Sequence, residues 1–282
     1  MTSEFDLAQE DFGRALYALQ PYANDLLVIG GMAPILYRLV PGFAPAVVAP
    51  IATREVDWST PPKLPTRGEV AWRLLGAEGL RAFEVPGFGK QRGPQVFQHE
   101  RYDAERKAPV YQEFLCPLRG NTTKIVDVQE GLTAQPLRYL DLLVFDPITV
   151  TVDASSGIRV SAPCQVRLAQ PVLYIAQKVL ARDKRAAMPG KAEKDLAYAF
   201  DVASLCRPLW HTQADVRQRA AADTPEWSKW LARAGRDLRE LFSAPTANGP
   251  VEAARIFRAF GGRAPDENEI HVVMSRFLQT VF

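Results

Sequence analysis

The spacing of hydrophobic residues in the first third of the chain predicts helices and strands in alternation. Residues 4–20 carry apolar side chains at helical intervals and predict a first helix. Residues 26–29 form a short apolar run, typical of a buried strand, that ends at Gly30 and Gly31. A short helix is predicted over residues 32–40, and alternating positions predict a second strand over residues 51–58.

The remaining pattern changes character near residue 163. Before it we predict a helix at 67–80, strands near 83–85, 95–100 and 110–116, and a hairpin of 148–152 with 158–160. Residues 124–145 are ambiguous, with a helix over 137–145 as one interpretation. The later segments are helical in pattern: 172–182, 191–205, 214–222, 225–242, 251–260 and 267–281. The pattern predicts an α+β domain over residues 1–163, followed by a helical domain over residues 164–282.

Composition and charge exclude several classes of protein. The chain is 47% hydrophobic, so it can form a core. Its net charge is only +2, so binding to a nucleic acid would require a local basic patch. Three scattered cysteines and three scattered histidines lack the spacing of a zinc site or a disulfide framework. The acidic start lacks a secretory signal, and no run is long and apolar enough to cross a bilayer, so we expect a cytoplasmic protein with no membrane partner.

Two short features suggest chemistry at a phosphate. Residues two apart on a strand share a face, so Glu55 and Asp57 place two carboxylates side by side while Val56 points into the core. Carboxylate oxygens suit Mg²⁺, which also accepts phosphate oxygens. Gly30 and Gly31 follow a strand and would let the backbone approach a phosphate closely. Each feature alone also fits a solvated strand or an ordinary turn, but the two in this order are more specific.

These residues resemble the opening of the nucleotidyltransferase superfamily. Residues 28–33 (VIGGMA) and 52–58 (ATREVDW) are similar to its glycine turn and its Thr-x-Asp-h-Asp strand. Residues 113–120, 134–141 and 178–196 also resemble a bacterial branch related to AbiEii-type toxins. The resemblance covers about residues 25–205 and implies a nucleotidyltransferase-like mixed sheet with flanking helices before the helical domain.

The resemblance also implies roles for particular residues. Gly30 and Gly31 would contact phosphate. Lys178, Arg182 and Lys194 would bind the nucleoside triphosphate, and Asp195 would help to activate the acceptor. Glu55, Asp57 and Glu113 would be the catalytic acids that bind Mg²⁺ or Mn²⁺.

The implied function is Mg²⁺-dependent transfer of a nucleoside monophosphate from a nucleoside triphosphate to an acceptor hydroxyl. The acceptor is left open between tRNA or another RNA, a protein and a small molecule. Glu55 departs from the family pattern, because the first acid is usually aspartate and glutamate is one methylene longer. A catalytically degenerate nucleotide-binding or interaction protein, of toxin–antitoxin type by analogy, is therefore the alternative.

A basic segment is the candidate for contact with triphosphate or RNA. Its five basic residues lie within a short stretch: Arg182, Lys184, Arg185, Lys191 and Lys194. A solvated loop between two helices explains the same residues equally well.

Overall fold

The computed structural model describes residues 4–84, 93, 95–99, 110–118, 124–185, 191–260 and 263–282. Contacts divide the chain into two units. The first contains residues 1–33, 52–140 and 148–168, and the second contains residues 34–51, 141–147 and 169–282. Gly87 and Gly89, whose spacing in the sequence suggests a turn, lie outside the described residues, as do residues 85 and 100 at the ends of two predicted strands.

The first unit is built on one mixed sheet. Its described strands are β1 (Leu27–Ile29), β2 (Glu55–Ser59), β3 (Leu80–Glu84), β4 (Gln95–His99), β5 (Tyr111–Pro117), β6 (Val126–Gln129), β7 (Leu132–Leu137), β8 (Ile148–Val152) and β9 (Cys164–Leu168). The main strand order is β3-β4-β5-β2-β1-β9-β8, and β7 pairs with both β5 and β6. The pairs β2–β5, β1–β9 and β5–β7 are parallel, whereas β1–β2, β4–β5 and β8–β9 are antiparallel.

Two helices of the first unit cover parts of this sheet, α1 (Glu4–Ala18) and α3 (Ala71–Ala77). Phe12 on α1 is fully buried and stacks on Trp58 of β2, with ring centroids 5.8 Å apart. Gly13 lets α1 lie against the backbone of residue 159, because a Cβ at that position would lie 1.9 Å from the carbonyl oxygen of Arg159. The α1 helix therefore fixes one face of the central strands.

The helical part of the second unit contains six described helices. They are α4 (Pro171–Arg185), α5 (Lys191–Leu205), α6 (Trp210–Asp223), α7 (Pro225–Leu241), α8 (Asn248–Phe260) and α9 (Glu267–Val281). Their facing sides are apolar, and aromatic pairs such as Phe200–Phe257 and Trp210–Phe277 lie in the interior. Within the described residues, none of these helices combines the length and apolar character needed to cross a membrane.

Two earlier segments of the chain complete this helical unit. Residues 34–51, which include most of α2 (Ala33–Tyr37), are held by a backbone hydrogen bond from Ala44 to the Leu205 carbonyl oxygen. Arg38 also donates two hydrogen bonds, of 3.1 and 2.9 Å, to the carboxylate of Asp201 on α5. In residues 141–147, Asp146 forms an ion pair of 2.6 Å with Arg219 of α6.

One sequence-based expectation about secondary structure is wrong, and two further segments differ in detail from the pattern. Strand β8 pairs with β9 and not with residues 158–160, because Asp153 caps a 3-10 turn at Ala154–Ser156 and Gly157 is left-handed. Residues 137–145 contain a 3-10 helix, Leu140–Val144, after the β6–β7 hairpin, and not an α-helix. Strand β9 follows residue 163 and precedes the helix that begins at Pro171.

The predicted fold class is confirmed. The structure is mixed, with an open sheet containing parallel and antiparallel pairs, flanking helices and a C-terminal set of helices. The division into domains at residue 163 stays a prediction, and the contact units place β9 with the sheet.

The Arg38–Asp201 pair predicts that the loss of stability on removing Arg38 depends on pH. Burial raises the pKa of Asp201 from 3.8 to about 6, although Arg38 lowers it in part. The folded state therefore binds more protons than the unfolded chain between about pH 4 and pH 6, so this group's contribution to stability falls as the pH rises through that range. Removing Arg38 raises the pKa further. We expect Arg38→Ala to lose about 3 kcal/mol at pH 8 and clearly less at pH 5, as measured by urea unfolding.

The control is the double variant Arg38→Ala/Asp201→Asn, in which no carboxylate is left to titrate. The stability that it loses relative to the single variant Asp201→Asn should be equal at the two pH values. A loss in Arg38→Ala that does not change with pH would contradict the assignment.

Candidate active site

The strand register brings the first part of the candidate site together. Asp57 lies opposite Ile29 in the antiparallel β1–β2 pair, so it is next to the point where the chain leaves β1 at Gly30. On its other side, Asp57 is the direct partner of Glu113 in the parallel β2–β5 pair. Asp57 is therefore placed between the glycine turn and a second acidic residue from a strand more than 50 positions away in sequence.

Gly30 and Asp57 approach each other so closely that residue 30 has no room for a side chain. Gly30 has φ = +64°, a backbone conformation that L side chains rarely adopt. A Cβ built on Gly30 would lie 1.8 Å from Oδ2 of Asp57 and 2.7 Å from its Cγ. Gly31 is buried in the same turn. Gly30 therefore allows the Asp57 carboxylate to lie against the backbone of the turn.

The acidic residues share one face of the sheet. Glu55 and Asp57 alternate with Val56, which is fully buried on the opposite face, and the register puts Glu113 on the acidic face beside Asp57. Asp57 is 9% exposed, whereas Glu55 and Glu113 are half-buried. On the core face, Trp58 donates a hydrogen bond of 2.9 Å to Gln112. This buried bond joins β2 to β5 and stabilises their register.

The donor set suits a hard divalent cation bound together with a substrate. Mg²⁺ in proteins commonly takes one or two carboxylates and completes its shell with water and phosphate oxygens. Within the described residues, no group of three or more His, Cys, Asp or Glu side chains is assembled to hold a metal ion. Asp57 and one neighbouring acid on the same face provide the one or two carboxylates that Mg²⁺ commonly takes. The joint role of Glu55, Asp57 and Glu113 stays a prediction.

The second part of the predicted site lies in the helical unit, where Lys178 of α4 meets Asp195 of α5. The Lys178 Nζ is 3.2 Å from Asp195 Oδ1, and the two side chains are 4% and 2% exposed. Burying such a pair costs desolvation energy, which the attraction between the two charges offsets only at short distance. Tyr174 lies one turn before Lys178 on α4, so its ring is on the same side of the helix and covers part of the lysine side chain.

Sequence reasoning missed the aromatic surroundings of this lysine. The Nζ lies 5.3 Å from the ring centroid of Tyr174 and 5.5 Å from that of Tyr198. Both rings present their faces to the cation, which is attractive in a desolvated site. The signal was available as helical spacing, since Tyr174 is four residues before Lys178 and Tyr198 is three residues after Asp195.

The other predicted cationic residues face different surroundings. Arg182 is half-buried and lines a polar cavity of about 570 Å³ with Arg233 and Asp237 of α7. Lys194 lies 4.9 Å from the ring centroid of Phe260 on α8. The side chains of Lys184, Arg185 and Lys191 are outside the described residues. The binding of triphosphate or RNA by this basic segment stays a prediction.

These features define a class of protein in which a glycine turn and acidic residues on neighbouring strands lie together on a mixed sheet. A family model described as Nucleotidyltransferase matches residues 9–223, which is well over half of the chain. The chain belongs to this nucleotidyltransferase family, whose general activity is the transfer of a nucleoside monophosphate. A nucleoside triphosphate is the substrate that this family implies. A comparison with curated proteins gives no match.

The contact between Gly30 and Asp57 predicts the effect of adding one methyl group. Gly30→Ala should lose about 1–2 kcal/mol because of its positive φ, and more because the new Cβ displaces the Asp57 carboxylate. The matched control is Gly68→Ala, since Gly68 has φ = +82° and open space around it. Urea unfolding should show a larger loss for Gly30→Ala than for Gly68→Ala. Equal losses would mean that the contact has no energetic importance.

The Lys178–Asp195 pair predicts that the stability of the protein depends strongly on both charges. Lys178→Met should destabilise the protein by about 3–5 kcal/mol, because it leaves a buried carboxylate without its cation. The double variant Lys178→Met/Asp195→Leu should recover much of this loss, as measured by thermal or urea unfolding. If the double variant is folded but inactive in transfer, the pair serves the reaction as well as the fold; full activity would assign it to the fold alone.

Proposed function

We propose that this protein transfers a nucleoside monophosphate from a nucleoside triphosphate to an acceptor hydroxyl in a reaction that depends on Mg²⁺ or Mn²⁺. The observation that supports this most directly is the Asp57 carboxylate lying against Gly30, with Glu113 beside it on the same face. Membership of the nucleotidyltransferase family supports the reaction type. The metal dependence and the acceptor hydroxyl go beyond what family membership supports.

The residues of the sheet unit supply the polar groups for this reaction. Gly30 and Gly31 would contact a phosphate through the backbone amides of the turn after β1, since the side-chain position of Gly30 is filled by Asp57. Asp57, with Glu55 or Glu113, would supply carboxylate oxygens to the cation. When bound, the cation would offset the negative charge of the phosphates and of the pyrophosphate that leaves.

The chemical step is an in-line displacement at the α-phosphorus. The acceptor oxygen forms a bond to this phosphorus, the bond from phosphorus to the bridging oxygen breaks, and pyrophosphate leaves with the bonding electrons. The acceptor hydroxyl gives up its proton to a base. By resemblance, Asp195 is the candidate that promotes this transfer, and its ion pair with Lys178 is consistent with a carboxylate held in a fixed position.

The acceptor is an alcohol group of an RNA end, a protein or a small molecule. Each of these presents a hydroxyl to the same displacement, so the sheet unit does not distinguish them. We expect the reaction to take place in the cytoplasm of a bacterial cell.

Replacing Asp57 tests the proposal. Incubation with α-labelled nucleoside triphosphates, Mg²⁺ or Mn²⁺, and total RNA or total protein should give labelled products with the wild type. Asp57→Asn should reduce transfer by at least about 100-fold, because it removes a carboxylate ligand of the cation that offsets the charge of the phosphates. The control Asp127→Asn changes an exposed aspartate on β6 of the same sheet and should retain activity.

Two measurements decide the interpretation of this experiment. Circular dichroism and thermal unfolding must show that Asp57→Asn is folded. Undiminished transfer in a folded Asp57→Asn protein would refute the proposal.

The second candidate function is a nucleotide-binding protein that does not transfer. The longer acid at Glu55 favours it, since a shift in the position of a carboxylate is costly for catalysis. In this case nucleoside triphosphates would raise the melting temperature of the wild type without yielding a product. The variant Glu55→Asp distinguishes the two candidates: if transfer appears only in this variant, the natural site is degenerate, whereas an active wild type excludes that reading.

A further inference from the structure

Two arginines from neighbouring helices of the helical unit come together at one aromatic ring. The guanidinium carbon of Arg217, on α6, lies 5.8 Å from the ring centroid of Phe282. A Cβ built on Gly235 of α7 would be 2.8 Å from Phe282 Cδ1 and 3.5 Å from Nη1 of Arg239. Gly235 therefore gives the ring and the Arg239 guanidinium room to lie against α7.

These two cations are not balanced by carboxylates. Within the described part of the chain, neither Arg217 nor Arg239 forms an ion pair with an acidic side chain within 4.0 Å. The Nε of Arg217 is buried and lacks a hydrogen-bond acceptor among the described residues. Burial lowers the pKa of Arg217, and repulsion by Arg239 lowers it further. Two cations held close together in this way attract an anion.

A cavity lined by Arg239 and Phe282 opens next to this pair of arginines. Its volume is about 480 Å³, within the range of small-molecule sites. Its walls combine one arginine, two aromatic rings, two hydroxyls and an amide: Arg239, Phe242, Phe282, Ser243, Ser275 and Gln279. A ligand that fits this lining must have an anionic group, a flat apolar part and several hydrogen-bonding atoms.

We propose that this cavity binds a nucleotide, with its phosphate at Arg239 and the neighbouring Arg217 and its base against Phe282. Arginine binds phosphate through paired N–H groups, and bases stack on aromatic side chains. The hydroxyls of Ser243 and Ser275 and the amide of Gln279 are suited to the polar edges of the base and sugar. This binding does not depend on the proposed transfer reaction, because every residue involved belongs to the helical unit.

The nucleotide is either a free monophosphate or one unit of an RNA strand. Two probes distinguish these sources, AMP by calorimetry and a short fluorescein-labelled oligoadenylate by anisotropy. All measurements use the full chain in an Asp57→Asn background, so that failure of the proposed transfer function has no effect on the result. Binding of AMP indicates a site for free nucleotide, and binding of the oligonucleotide alone indicates a site for a strand.

Arginine variants then locate the binding. Arg217→Gln and Arg239→Gln should each weaken it about tenfold, which corresponds to ~1.4 kcal/mol. For the oligonucleotide, each variant should also reduce the salt dependence of the affinity by about one phosphate contact. The matched control is Arg236→Gln, an exposed arginine on the same helix α7, which should bind like the parent protein.

Folding is checked by the melting temperature of each variant without ligand. It should stay close to that of the parent, since each substitution removes repulsion between two cations, and in Arg217→Gln this offsets the lost contact with Phe282. The proposal is overturned if the parent protein binds neither probe. It is also overturned if the Arg217→Gln/Arg239→Gln double variant binds both probes as tightly as the parent.

Discussion

The candidate active site depends on the absence of a side chain at residue 30. The carboxylate of Asp57 occupies the position that a Cβ would take, and the backbone of Gly30 has a positive φ. Both conditions require glycine. The close approach fixes the position of the acid relative to the end of β1, and the strand register then fixes Glu113 relative to the acid. A glycine turn and two acidic residues thus become one structural element.

The register of the central strands is in turn stabilised from the opposite face. Val56, Trp58 and Phe114 are buried there, and the Trp58–Gln112 hydrogen bond crosses between β2 and β5. A slip of one residue would turn the acids into the core and the tryptophan to the outside, at the cost of burying unpaired charges. The chemistry on one face and the packing on the other are therefore two consequences of a single register.

Buried charges have a different role in the helical unit. The buried pair of Lys178 with Asp195 joins two consecutive helices. The pair of Arg38 with Asp201 joins segments 163 positions apart. Arg217 and Arg239 contrast with them, because they meet beside Phe282 without an acid within ion-pair distance in the described residues. The helical unit thus contains both buried ion pairs and, beside a cavity, two neighbouring arginines of which neither has an acid within ion-pair distance in the described residues.

The sequence by itself determined the fold class, most helices and the acidic strand, because these depend on local periodicity and on residues close together in the chain. Helical spacing indicated α4 to α9, and the glycine turn followed from the end of an apolar run. Sequence reasoning did not find that β8 pairs with β9, because the pairing depends on the 3-10 turn and the irregular segment between them. Tertiary structure alone decided that Asp57 lies against Gly30, that Tyr174 and Tyr198 enclose Lys178, and that Arg217 meets Arg239. These contacts arise from strand register and helix packing, which bring together residues whose separation along the chain gives no local signal.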